Sequence, residues 1–305
     1  MFDTVTLVAY DIDINPNQLE GIIPFTYLDN DDGSFISKYS FLKERINYKY
    51  NLQKKILEMQ LSIPKMVYGT NTEMLTEIDI SEFWIKLHTT LKEHFNIDVN
   101  IEQWKVKRLD ISYNFKVDNV GAYISEINKK NLSKRTKITY NENETVIFKN
   151  KSSSICFYDK EKECINKKEP LNIIEQAKGI LRLEIRPAIY HLREYSIDRK
   201  AVDLITNAFF TYIVVKFKIN ELLKCQEEHE DNDLLKALDK MKVADIEKVL
   251  GFNRLVEIVG EKTILEKNYY KNGTIRNRKE LIAEYNKNIK QQSTKQQQLY
   301  ITLEK

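Results

Sequence analysis

Apolar and polar positions alternate from the first residues of the chain. Residues 2–14 (FDTVTLVAYDIDI) read as an opening strand, which Asn15 and Pro16 end. Residues 54–63 (KKILEMQLSI) put Leu57, Met59 and Leu61 on one face and Glu58, Gln60 and Ser62 on the other. Pro64 stops that strand, and YGTN at 68–71 turns the chain. Trp84, Leu87, Leu91 and Phe95 recur at helical spacing behind a Ser81 cap, so this stripe is expected in the core. Residues 105–115 alternate again. Leu109, Ile111 and Tyr113 point one way; Arg108, Asp110, Ser112 and Asn114 point the other. A helix is expected over 120–130, then a basic loop to 137 and strand material over 138–149 with a turn at 141–143. A strand follows at 155–160, rich in β-branched and aromatic residues. Pro170 opens a short helix that ends at Gly179. ILRLEIR at 180–186 is the last clear strand, with Leu181, Leu183 and Ile185 opposed to Arg182, Glu184 and Arg186.

From Asp198 the pattern turns helical. One helix is expected to about residue 225, one or two more over 231–250, and a helical hairpin over 253–290 turning at 272–273. A Gln-rich tail from 291 is expected to be mobile. The fold class is therefore α+β: an antiparallel sheet flanked by helices, followed by a helical C-terminal region. The expected division is 1–197, 198–290 and a 291–305 tail.

Composition narrows the partners only a little. The 305 residues carry 48 Lys+Arg against 45 Asp+Glu, a net +3, so basic patches must be local rather than global. Hydrophobic content of 42% is enough for a real core. The three cysteines, Cys156, Cys164 and Cys225, fit neither a disulfide framework nor a zinc knuckle and suggest a reducing cytoplasm. No signal peptide is expected, and the most apolar run, residues 208–215, is too short to span a bilayer. The acidic loop at 29–34 lacks the later bidentate Glu of a calcium-binding EF-hand and reads as a solvated loop.

The chemistry gathers on the polar faces of four strands. On the strand at 155–160, Tyr158 and Lys160 share a face and stand side by side, and the ammonium favours a phenolate that can attack phosphorus. If the strands are neighbours, Glu58, Asp110 and Glu184 approach that phenol, and carboxylate oxygens suit Mg²⁺ or Mn²⁺. Arg108, Arg182 and Arg186 add positive charge for a phosphodiester. The plain alternative is a solvated sheet face laced by Arg–Glu and Arg–Asp pairs, with Tyr158 one of 17 tyrosines.

Five stretches, in order, resemble the filamentous-phage gene-II type replication initiators and, more distantly, the Rep_trans plasmid rolling-circle initiators. They are MFDTVTLVAYDIDI, ILEMQLSIPKMVYGTN, VKRLDISYNF, ETVIFKNKSSSICFYDKEKE and GILRLEIRP, spread over residues 1 to about 195. The resemblance implies nicking of one origin strand through Tyr158 with a 5′-phosphotyrosine intermediate, Lys160 as its companion, and a host helicase and replication machinery as partners. Glu58, Asp110 and Glu184 match acidic motif positions. The His-hydrophobe-His metal motif of many tyrosine nucleases is absent, with His88, His94, His191 and His229 dispersed. Tyr190 and Tyr195 read as packing residues rather than a second nucleophile. Lys271, Arg276, Arg278 and Lys279 form a basic cluster that could track duplex phosphates or be a solvated helix face. A mobilisation relaxase would use the same chemistry. A non-catalytic DNA-binding protein on the same fold, or a water-using metal hydrolase, would leave no adduct. No P-loop is present, as expected if a covalent ester conserves the phosphodiester energy.

Overall fold

A computed structural model describes residues 1–28, 34–140, 144–224, 237–267, 269–290 and 299–301. The expected turns at 29–34 and 141–143, His229, Cys225 and most of the Gln-rich tail fall wholly or largely outside the described residues.

Ten strands are described: β1 (Phe2–Ala9), β2 (Phe25–Leu28), β3 (Phe35–Lys43), β4 (Ile46–Asn51), β5 (Ile56–Ser62), β6 (Lys105–Lys116), β7 (Thr136–Tyr140), β8 (Thr145–Lys149), β9 (Ser154–Asp159) and β10 (Ile180–Arg186). They form one sheet in the order β2-β3-β4-β5-β1-β6-β10-β9-β8-β7, and every neighbouring pair is antiparallel. The described helices are α1 (Ile63–Tyr68), α2 (Glu77–Phe95), α3 (Val120–Lys129), α4 (Lys160–Asn166), α5 (Leu171–Ala177), α6 (Ile189–Tyr195), α7 (Ala201–Leu204), α8 (Asn207–Lys216), α9 (Ile219–Leu223), α10 (Val243–Val259), α11 (Glu261–Glu266) and α12 (Asn272–Lys290). The fold is the expected α+β arrangement, with a helical C-terminal region.

The alternation decides which face is buried. Leu57, Met59, Leu109, Ile111, Leu183 and Phe157 join one hydrophobic cluster with Phe83 and Leu87 of α2, Ile124 of α3, and Phe209 and Ile213 of α8. Their polar alternates are left on the other face. Two register shifts between β1 and β6, at Phe2/Val5 and Thr6/Leu7, break this rule locally. A bulge re-aims side chains. Here both Asp3 and Thr4 reach the cleft described below, although they are consecutive.

Several boundaries differ from expectation. The opening strand stops at Ala9, and β5 starts only at Ile56, after Lys55 takes a left-handed φ of 48°. Helix α2 starts at Glu77 rather than Ser81, because Asp79 accepts from the Thr76 backbone N–H at 2.6 Å. Trp84 is only partly buried, and Phe83 takes its core place. Strands β2, β3 and β4 were not expected. The tyrosines of β4 point inward: Tyr50 donates to Ile12 O at 3.0 Å, and the Tyr48 hydroxyl lies 2.9 Å from His94 Nδ1. Gly179 does follow its short helix, at φ 69°, where a Cβ would meet Val117 O at 2.9 Å.

The chain divides into two compact units, residues 1–223 with 299–305, and residues 224–298. The division thus falls at Leu223 and not at the change of pattern near Asp198. The physical reason is burial: Leu204, Phe209, Phe210, Ile213 and Val214 belong to the sheet's core. The single helix expected from Asp198 is three short ones, α7 to α9. Part of the tail is docked: Leu299 and Ile301 are buried in the same core, and Ile301 exchanges two hydrogen bonds with Asn220. In the second unit, α10 and α12 enclose a small core that includes Ile246, Val249 and Tyr285.

Candidate active site

Tyr158 lies on β9 between Thr145 of β8 and Arg182 of β10. Its hydroxyl donates to Glu184 Oε1 at 2.6 Å. Arg182 Nε donates to that same oxygen at 3.1 Å. The Arg182 side chain is 1% exposed, and Nη1 donates to Asn71 O at 2.7 Å and Asn114 Oδ1 at 3.2 Å. Nη2 stands 3.1 Å from Asp3 Oδ2, close enough for ion pairing but without hydrogen-bond alignment. A buried guanidinium therefore holds Asp3, Glu184 and the loop at Asn71 in one network.

Lys160 is not where the pattern put it. The strand ends at Asp159, whose side chain caps α4, and Lys160 is the first helical residue. Its ammonium is buried and donates to Asn71 Oδ1 at 2.9 Å and Glu163 Oε2 at 2.7 Å. It clamps the helix to the loop, and the cation that acts on Tyr158 is Arg182. The expected lowering of the phenol is reversed as well. Burial pushes the Tyr158 hydroxyl well above its ordinary range. The Arg182 guanidinium opposes that rise, while Glu184 and Glu163 add to it. At neutral pH Tyr158 is thus a protonated phenol already hydrogen-bonded to a carboxylate.

The surrounding carboxyls behave oppositely. Burial raises Glu163, but the Lys160 ammonium, with Lys167, outweighs it and holds the carboxyl below its usual range. Burial also raises Asp3, and Arg182 with bonds from Ser62 and Asn71 brings it below that range. Cys156, two residues before Tyr158 on the same face, is pushed up to about 12 by burial and is no nucleophile at neutral pH.

Tyr158, Glu184, Asp3, Asn71 and Glu163 line a cleft of about 460 Å³ that also takes in Arg108, Asp110, Glu144, Asp159, Lys162, Asn166 and Lys167. Arg108 and Arg186 both engage Asp110. Arg108 Nε is 3.0 Å from Oδ1, and its Nη2 bonds Oδ2; Arg186 bonds the two oxygens at 3.1 and 3.2 Å. Glu58 lies elsewhere on the sheet, on β5, paired with Lys107 at 2.6 Å and Lys49 at 3.6 Å. Thus Asp110 and Glu184 share the cleft with Tyr158 and Glu58 does not. Among the described residues no three His, Cys, Asp or Glu side chains gather to hold a metal ion. The expected three-carboxylate set for Mg²⁺ or Mn²⁺ does not fit this arrangement.

The dispersed histidines stay dispersed. His94 is buried beside Tyr48, and His191 accepts from the Ala188 N–H at 3.0 Å. Tyr190 packs on His191, and Tyr195 on Phe209 and Tyr212. In the helical unit, Arg276 pairs with Glu280 at 3.1 Å and Lys279 with Glu261, while Lys271 is exposed and Arg278 lies near Asp245. Sequence reasoning missed Asp3, Asn71, Glu163, Lys162 and Lys167. Simple alternation puts Asp3 with Val5 on the buried face, and only the bulge corrects it.

Residues 17–206 match the family described as the N-terminal part of the phage replication-associated gene-II protein. The chain belongs to this family. The match spans more than half of the sequence and contains Glu58, Asp110, Tyr158, Lys160 and Glu184. It accords with the gene-II type resemblance of the motifs and carries a role in phage rolling-circle replication initiation. The helical unit of this gene-II family member lies outside the matched span. No curated protein matches the chain. Among the described residues no helix is long and apolar enough to cross a membrane.

Proposed function

We propose that this gene-II family chain starts rolling-circle replication by nicking one strand of origin DNA through Tyr158 and later rejoining it. The observation that carries this is the 2.6 Å bond from the Tyr158 hydroxyl to Glu184 in a cleft lined by Arg108, Lys162 and Lys167. A scissile phosphate entering the cleft meets these cations, which offset its charge and the charge that builds up on its oxygens. The Tyr158 oxygen attacks phosphorus while its proton passes to Glu184, so no free phenolate is needed. Arg182 fixes the accepting oxygen and stabilises negative charge developing on the phenol. The P–O bond to the upstream nucleotide breaks, and the departing 3′ oxygen takes a proton from solvent or from Lys167. The product is a free 3′ hydroxyl and a 5′ phosphate esterified to Tyr158. Rejoining runs the same steps backwards. The 3′ hydroxyl attacks the ester, and Tyr158 leaves with a proton from Glu184. Phosphodiester energy is conserved, so no nucleotide cofactor is required.

The partner is single-stranded DNA at the origin of the chain's own replicon. Labelled single strand from the neighbouring origin, incubated with the protein and run on denaturing electrophoresis, should show a covalent adduct. Tyr158→Phe should abolish the adduct and leave DNA binding nearly unchanged, because only the hydroxyl is lost. A normal adduct yield from that variant would move the nucleophile to another residue.

A further inference from the structure

The polar face of the sheet continues well beyond the cleft. Directly paired positions of antiparallel strands share a face. The register carries the face of Arg108 through Thr6 and Val8 to Glu58, then through Lys49, Ser40 and Lys38 to Phe25 on the edge strand β2. Arg108, Lys107, Lys49 and Lys38 stand along this strip. Lys107 and Lys49 are more than half exposed and share the single carboxylate of Glu58, so the pair keeps positive charge. The strip ends on two aromatic rings. Phe25 and Tyr27 stack with centroids 5.9 Å apart, and the Lys38 ammonium lies 4.8 Å from the centre of the Tyr27 ring. Phe25 is 71% exposed.

A row of cations leading to a stacked pair of rings, with Phe25 exposed and Tyr27 half-buried, fits one class of polymer better than others. Single-stranded nucleic acid offers a phosphate per residue to the cations and a π-face per base to the rings. A duplex hides its base faces, and an acidic peptide supplies charge without flat faces. We propose that this strip is a single-stranded DNA track, with phosphates on Arg108, Lys107, Lys49 and Lys38 and a base stacked on Phe25 and Tyr27. The inference rests on the reading that Tyr158 acts on single-stranded DNA. Strand β2 lies seven strands from β9, roughly 34 Å at ordinary strand spacing. The track therefore holds a strand some distance from the scissile phosphate, and contributes affinity rather than chemistry.

The test uses the full chain and fluorescent oligothymidylate of about 24 nucleotides, well above the site size of one binding fold. Phe25→Ala should weaken binding at least about fivefold, the low end for one lost base stack. Joint replacement of Lys38 and Lys49 by Ala should make the salt slope shallower by about 1.4, two single-strand phosphate contacts. All three side chains are exposed, so folding should survive, and circular dichroism checks it. Duplex of the same length should show no dependence on Phe25. Native affinity in both variants, or an equal loss on duplex, would overturn the track. Loss of binding in Phe25→Ala with no adduct from the native chain would support the track and refute the nicking reading.

Discussion

The Tyr158 hydroxyl and the Glu184 carboxylate, on the adjacent strands β9 and β10, are joined by a 2.6 Å hydrogen bond. A carboxylate so placed can take the phenol's proton as the oxygen attacks. Glu184→Gln keeps the shape and can still accept a hydrogen bond, but is a far weaker base. Adduct formation should fall about 10²- to 10⁴-fold, the usual worth of a general base, with single-strand affinity within about twofold of native. Single-turnover rates with origin DNA measure this. A Gln variant that nicks at the native rate would remove Glu184 from proton transfer.

Asp110 serves two arginines, each of which engages both of its oxygens. Asn cannot hold two guanidiniums, because one of its two polar atoms becomes a donor. Asp110→Asn should reduce adduct formation about tenfold or more, by loss of charge-assisted hydrogen bonds. The deficit should stay the same as Mg²⁺ or Mn²⁺ is raised. Recovery at high cation concentration would instead make Asp110 a metal ligand. Glu58→Gln, whose carboxylate faces Lys49 and Lys107 outside the cleft, should leave the rate within about twofold of native.

Stability should respond to pH through the same groups. Burial raises Tyr158 and Cys156, so both keep their protons when folded after the unfolded chain has begun to lose them. Their contribution is complete below the ordinary thiol and phenol values, about 8.5 and 10, and is lost as pH climbs towards the folded values. Asp3 and Glu163 are lowered, so their contribution is present above the ordinary carboxylate range and lost as pH falls through the folded values. The urea midpoint should therefore drop on both sides, and above about pH 10 it should drop less steeply in Tyr158→Phe. An alkaline slope identical in the two proteins would mean that Tyr158 ionises as freely folded as unfolded.

The sheet was readable wherever alternation was clean. The faces of β5, β6 and β10 came out as the pattern implied, because one buried face fixes strand register. Strands β2 to β4 escaped notice because their polar residues are interleaved with tyrosines, which pattern alone cannot assign inside or outside. Tyr158, Glu184 and Asp110 could be placed on one face from their strands alone. Lys160 could not. Whether Asp159 continues a strand or caps a helix depends on side-chain bonds that alternation does not encode. Asp3 was hidden for a related reason, since a bulge is a property of the pairing and not of the strand. Glu58 was grouped with the site by face, but face does not give position along the sheet, and β1 separates β5 from β6.

The division into units predicts where the chain can be cut. A chain ending at residue 197 loses Leu204, Phe209, Phe210, Ile213 and Val214, all at most 4% exposed. At about 1.5–3 kcal/mol for each buried side chain, that loss is comparable with the whole stability of a typical domain, about 5–15 kcal/mol. Such a chain should fail to fold. A chain ending at Leu223 keeps these residues and gives up only Leu299 and Ile301 from the same core. It should fold with a lowered urea midpoint and still form the adduct on single-stranded origin DNA, because every group of the cleft is retained. It should bind duplex origin more weakly and with a shallower salt slope, having lost Lys271, Arg276, Arg278 and Lys279. Circular dichroism and urea titration establish folding first, and binding over a range of salt follows. A folded chain ending at residue 197 would show that α7 to α9 are dispensable to the sheet. A chain ending at Leu223 that holds duplex origin with native affinity and slope would place duplex recognition on the sheet unit.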